Sequence, residues 1–109
     1  MWCAPCAALA EEVDETWKEY DGEGFMYLTV LSQDHTSNVP DLEELNKWAD
    51  DHNITAPVLQ DADGYTDSVI PPGGAFPQVM IIGRDLRVID TSIEPAEDPT
   101  IRAAIEAAL

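Results

Sequence analysis

Apolar residues recur at gaps of three and four near the start of the chain: Cys6, Leu9, Ala10, Val13, Trp17 and Tyr20. That spacing places them on one stripe of a helix. Glu11, Glu12, Asp14, Glu15, Lys18 and Glu19 fill the remaining circumference, so the pattern predicts a helix over 3–20. Pro5 fits its first turn, where the missing N–H costs nothing, and "DGEG" (Asp21 to Gly24) stops it.

"FMYLTVL" (Phe25 to Leu31) follows without polar alternation. A short aromatic and β-branched run of this kind suits a strand buried on both faces, as in a parallel sheet covered by helices. "SQDHTSN" reads as a loop. A second helix is expected from Pro40 to about Asp51, with Leu42, Leu45, Trp48 and Ala49 on its apolar side. "APVLQD" reads as a brief extended piece, "DADG" (Asp61 to Gly64) as a turn, and "IPPGGA" (Ile70 to Ala75) as a rigid loop. Two strands, Pro77–Ile82 and Leu86–Asp90, joined by "GRD", carry a hairpin signal. "EPAEDP" is a loop, and a helix over Thr100–Leu109 closes the chain, with Ile101, Ala104, Ile105 and Ala108 on one side. The order helix, strand, helix, strand, strand, helix predicts an α/β domain with a mixed central sheet flanked by helices.

Length changes this picture little: 109 residues make one domain, spanning 1–109. No apolar run approaches the ~18 residues needed to cross a bilayer. Charge excludes more. Twenty-two acidic residues against five Lys and Arg give a net charge of −17. Nucleic acid and anionic membranes are poor partners for such a surface, because phosphate recognition needs cationic side chains. The acidity is consistent with a solvated surface that resists self-association, with adaptation to high salt, or with a basic partner.

The candidate chemistry is concentrated in "MWCAPC". Cys3 and Cys6 are the only cysteines. At a helix start, positions i and i+3 share a face and lie within the separation a disulfide tolerates. The first cysteine also stands where free backbone N–H groups and the helix dipole stabilise a thiolate. Cys3 is therefore expected to be the exposed attacking thiol and Cys6 the shielded one that resolves the mixed disulfide. Ala4 and Pro5 set the geometry between them, and Trp2 covers one side. Structural zinc is disfavoured: it wants four ligands, and His35 and His52 stand seventeen residues apart. Both histidines read as surface residues. A purely structural bridge is disfavoured because an i to i+3 link closes too small a loop to restrict the unfolded chain. "DADG" fails as a calcium loop, since its glycine falls early and no glutamate ends it. No metal or cofactor is expected.

"WCAPC" opening a helix, the strand "GFMYLTVLSQD", the segment "ITAPVLQDADG" and "FPQVMIIGRDLRVI" together resemble the thioredoxin-fold family, in particular its TlpA/ResA-like branch of periplasmic thiol-disulfide oxidoreductases. The likeness runs from Trp2 to the C-terminus. It implies a thioredoxin-like fold and disulfide exchange with a protein or small-molecule disulfide, reset by an electron-donor protein. It also implies a periplasmic or cell-envelope location. Cys3 matches the family's nucleophile, Cys6 its resolving cysteine, and Pro77 its cis-proline, which faces the disulfide and offers backbone to an incoming peptide. Trp2, Phe76 and Pro77 would then bind substrate. Ala4-Pro5 resembles the dipeptides of reducing members, which implies a reductant.

The chain departs from the family at two places. Phe76 stands where threonine or valine is usual, which makes the substrate surface bulkier and more apolar. The family also places strands and a helix ahead of the motif, the last strand lying between those matching Phe25–Leu31 and Pro77–Ile82. The resemblance thus implies an N-terminally truncated form of the fold, belonging to a longer protein. Two alternatives to the oxidoreductase remain. One is a peroxidase of the related redoxin group, which requires a threonine or serine three residues before its reactive cysteine. The other is a non-catalytic interaction domain or fragment.

Overall fold

The computed structural model describes residues 1–65, 68, 75–91 and 93–109. Helix α1 (Ala4–Tyr20) is capped by Cys3 and carries Pro5 in its first turn. A 3-10 turn (Asp21–Glu23) ends at Gly24, whose left-handed φ of 83° suits a residue without a Cβ. Strand β1 (Thr29–Leu31) leads by a loop to α2 (Leu42–Asp51). A capping box starts α2: the Asp41 carboxylate accepts from the Glu44 amide and the Glu44 carboxylate accepts from the Asp41 amide, each at 2.9 Å. Strands β2 (Val58–Gln60), β3 (Ile81–Ile82) and β4 (Val88–Asp90) follow, then α3 (Asp98–Ala108).

Among the described residues the strands form two separate pairs. β1 runs parallel to β2, with Val30 opposite Leu59. β3 runs antiparallel to β4, with Ile82 opposite Val88 and an irregularity between Ile81 and Ile82. The architecture is mixed α/β, and among the described residues no ladder joins the β1–β2 pair to the β3–β4 pair.

Two apolar clusters hold the elements together. Ala10 and Val13 of α1 meet Leu31, Leu45, Trp48, Ile54 and Ala56. Tyr20 of α1 meets Ile93, Ile101 and Ile105, with Phe25, Val79 and Ile81 packed against them. Tyr27 touches both clusters, and burial pushes its hydroxyl up to about 12. α1 and α3 are also joined by polar contacts. The fully buried Thr16 hydroxyl donates to Asp98, whose other oxygen accepts from Arg102 Nε at 2.6 Å; Arg102 reaches Glu19 as well. The Tyr20 hydroxyl donates to Glu106 at 2.6 Å.

The hairpin, the first helix and the brief extended piece stand where the pattern places them. Other expectations need correction. Phe25–Leu31 is not buried on both faces. Phe25, Tyr27, Thr29 and Leu31 turn toward the core, whereas Met26, Leu28 and Val30 are exposed, because no described element covers their side. Leu42, placed on the apolar side of α2, is 72% exposed, since it occupies the first helical position, beyond the contact that buries Leu45 and Trp48. The ladder expected over Pro77–Ile82 shortens to Ile81–Ile82. α3 begins at Asp98 rather than Thr100, with Pro99 in its first turn. His52 is not a free surface residue: its ring lies 4.3 Å from that of Trp48 and its Nδ1 is 2.5 Å from Glu11. Residues 70–74 of the expected rigid loop lie outside the described residues.

Candidate active site

Cys3 precedes the helix in extended backbone (φ −85°, ψ 109°) and its Sγ accepts the Cys6 amide at 3.2 Å. A cysteine sulfur thus serves as the N-cap acceptor, a place usually held by serine, threonine, asparagine or aspartate. Cys3 and Cys6 form a disulfide across the first turn, with 5.2 Å between their Cα atoms. Ala4 and Pro5 are the exposed residues between them.

The exposures of the two sulfur residues are the reverse of the expectation. Cys3 is buried, at 7% exposure, and Cys6 is half-buried. Folding back to reach the Cys6 amide takes the Cys3 sulfur out of solvent, while exposed Ala4 and Pro5 leave the turn beside Cys6 open.

Trp2 organises the surroundings. Its indole Nε1 donates to Gln33 Oε1 at 2.8 Å, and its ring meets Phe76 edge-on, with centroids 5.9 Å apart. The Met1 nitrogen donates to the Gln33 carbonyl at 3.2 Å. Phe76 is joined to Pro77 by a cis peptide bond. Trp2, next to Cys3 in sequence, thereby meets Phe76 from a segment more than seventy residues away.

Gln33 had no sequence signal beyond its place at the exit of a strand. The loop that presents it is tied by Asp34, which accepts from the Thr36 hydroxyl and amide at 2.7 Å and from the Asn38 amide at 3.0 Å. These bonds, led by that from the Thr36 hydroxyl, hold the Asp34 carboxyl below its usual range.

Chemically, the arrangement is a closed dithiol at a helix start beside an aromatic pair. Opening the disulfide would leave a thiolate at Cys3 facing the first-turn amides. Comparisons with protein-family models, with curated proteins and with solved structures found no match to this chain.

Proposed function

We propose that this protein is a thiol-disulfide oxidoreductase of thioredoxin-like character that reduces disulfides. The observation that carries the reading is the Cys3–Cys6 bond across the first turn of α1, with the Cys3 sulfur accepting a helix-start amide. In the reduced enzyme the Cys3 thiolate attacks one sulfur of a substrate disulfide. A mixed disulfide forms and the other substrate sulfur leaves as a thiolate. The Cys6 thiolate then attacks Cys3 Sγ, closes the internal disulfide and releases the second substrate thiolate. Two electrons pass to the substrate, and an external dithiol resets the pair. Trp2, Phe76 and the backbone ahead of Pro77 form the surface against which the substrate rests.

Insulin reduction with dithiothreitol as donor tests this. The protein should accelerate turnover over dithiothreitol alone. Cys3→Ser should abolish the acceleration, and Cys6→Ser should accumulate a mixed disulfide visible by mass. Equal activity of both variants and the parent would refute the reading.

A further inference from the structure

The Cys3–Cys6 pair is closed in this structure, which is the form an electron donor meets. Its two members are not equally open. Cys3 is 7% exposed, whereas Cys6 is half-buried and the neighbouring Ala4 and Pro5 are exposed. The chain ahead of Cys3 is also tied down. The Trp2 indole donates to Gln33 at 2.8 Å, and its ring meets that of Phe76 with centroids 5.9 Å apart. Access therefore favours an incoming thiolate at Cys6, since exchange rates depend on which sulfur can be reached.

Leaving-group chemistry points the same way. In disulfide exchange the attacked sulfur keeps the nucleophile and the other departs as a thiolate. Departure is faster the better that charge is stabilised. Cys3 Sγ accepts the Cys6 amide at 3.2 Å, while the Cys3 carbonyl accepts the Ala7 amide at 3.1 Å. Cys3 is thus already the N-cap of α1, and its sulfur can take up negative charge without a rearrangement of the helix start. Among the described residues the hydrogen bond at the bridge goes to Cys3 Sγ, and none goes to Cys6 Sγ.

We infer that electrons enter the pair through Cys6 and leave it through Cys3, the donor being a dithiol. One donor thiolate attacks Cys6 Sγ. A donor–Cys6 bond forms, the Cys3–Cys6 bond breaks, and its electron pair departs with Cys3 Sγ as a thiolate. The second donor thiolate then attacks the donor sulfur of this mixed disulfide. The donor closes its own disulfide, and Cys6 leaves as a thiolate that takes a proton from water. Two electrons have passed to the pair, and Cys3 stands as the nucleophile the client meets. Donor and client are thus carried on different sulfurs. That this step resets a catalytic cycle rests on the oxidoreductase reading; the choice of sulfur does not.

The probe is β-mercaptoethanol, a monothiol that opens the bridge but cannot close a disulfide within itself. The oxidised intact chain is mixed with it at neutral pH and quenched at successive short times with excess N-ethylmaleimide in mild acid, which caps the freed cysteine. Fragment masses of the peptide carrying both cysteines locate the two labels, because cleavage between Ala4 and Pro5 separates them. Extrapolated to zero time, adducts on Cys6 with maleimide on Cys3 should exceed the reverse by at least about fivefold, since access and leaving group both favour them. In urea that unfolds the chain, access is equalised and the ratio should fall below about twofold. A smaller native ratio, a preference for Cys3, or no trapped adduct on either sulfur overturns the proposal. So does a ratio that stays above the urea limit, which would place the preference in the local sequence rather than in the fold. No substitution is involved, so a failure to fold cannot mimic the result. Cys6 adducts in a protein that does not accelerate insulin reduction would strike the oxidoreductase reading alone. Cys3 adducts in one that does would strike this inference alone.

Discussion

The indole of Trp2 donates to the side-chain carbonyl of Gln33 at 2.8 Å, across a sequence separation of 31 residues. This bond fixes the ring that meets Phe76 edge-on beside the disulfide. Gln33→Leu should free the indole and lower kcat/KM for disulfide reduction several-fold. Global stability should change by no more than about 1 kcal/mol, because the bond is exposed and a net hydrogen bond contributes only about 0.5–1.5 kcal/mol. Insulin reduction and urea unfolding of the same variant separate the two effects. A stability loss as large as the activity loss would reassign Gln33 to a purely structural role.

The sulfur geometry divides reactivity from exposure. After reduction, Cys3 at the N-cap should be alkylated by iodoacetamide with a pH midpoint below the ~8.5 of an ordinary thiol. Cys6, although more exposed in the disulfide form, should react more slowly at neutral pH. Mass mapping after brief labelling reads the ratio, and faster labelling of Cys6 would reverse the roles.

The α1–α3 contact should depend on Asp98 more than on Thr16. Asp98→Ala leaves the fully buried Thr16 hydroxyl and the Arg102 Nε without their shared acceptor. Stranding buried groups of this kind costs roughly 1–3 kcal/mol. Thr16→Val removes one donor and leaves the Arg102 contact to Asp98 in place, so its effect should be the smaller. Denaturant midpoints rank the pair, and the opposite order would show that the hydroxyl, not the carboxylate, organises the contact.

Asp14 should make the fold sensitive to acid. Partial burial opposes its ionisation. Hydrogen bonds from Lys18 and from the Thr55 hydroxyl and amide, with the Lys18 charge, more than offset this, and the carboxyl lies at about 2 instead of 3.8. A carboxyl depressed in the folded state contributes stability above its unfolded value, and that contribution is lost as pH falls through the folded one. The contribution of Asp14 is thus full above about pH 4 and declines toward pH 2. Asp14→Asn should be less stable than the parent at neutral pH, and the difference should narrow across that window. Urea midpoints at successive pH values check it, and a constant difference would remove Asp14 from the acid response.

The sequence by itself determined the local elements and the chemistry at the front of the chain. The three-and-four spacing from Cys6 to Tyr20, with Pro5 at its start and Gly24 past its end, specifies α1 through side chains a few residues apart. The same nearness makes C-x-x-C at a helix start legible as a dithiol that closes across one turn. The turn residues between two apolar runs likewise mark the β3–β4 hairpin. Only the tertiary structure decided which faces of these elements are covered. "FMYLTVL" reads as buried on both sides because apolar composition records affinity for a core, not the presence of one. Met26, Leu28 and Val30 face outward because no described element lies over them. Nor could spacing show that Gln33 and Phe76 flank Trp2, or that Cys3 is the more buried sulfur residue. Those relationships arise where segments distant along the chain meet, and periodicity reports only which side of an element is apolar, not what it will touch.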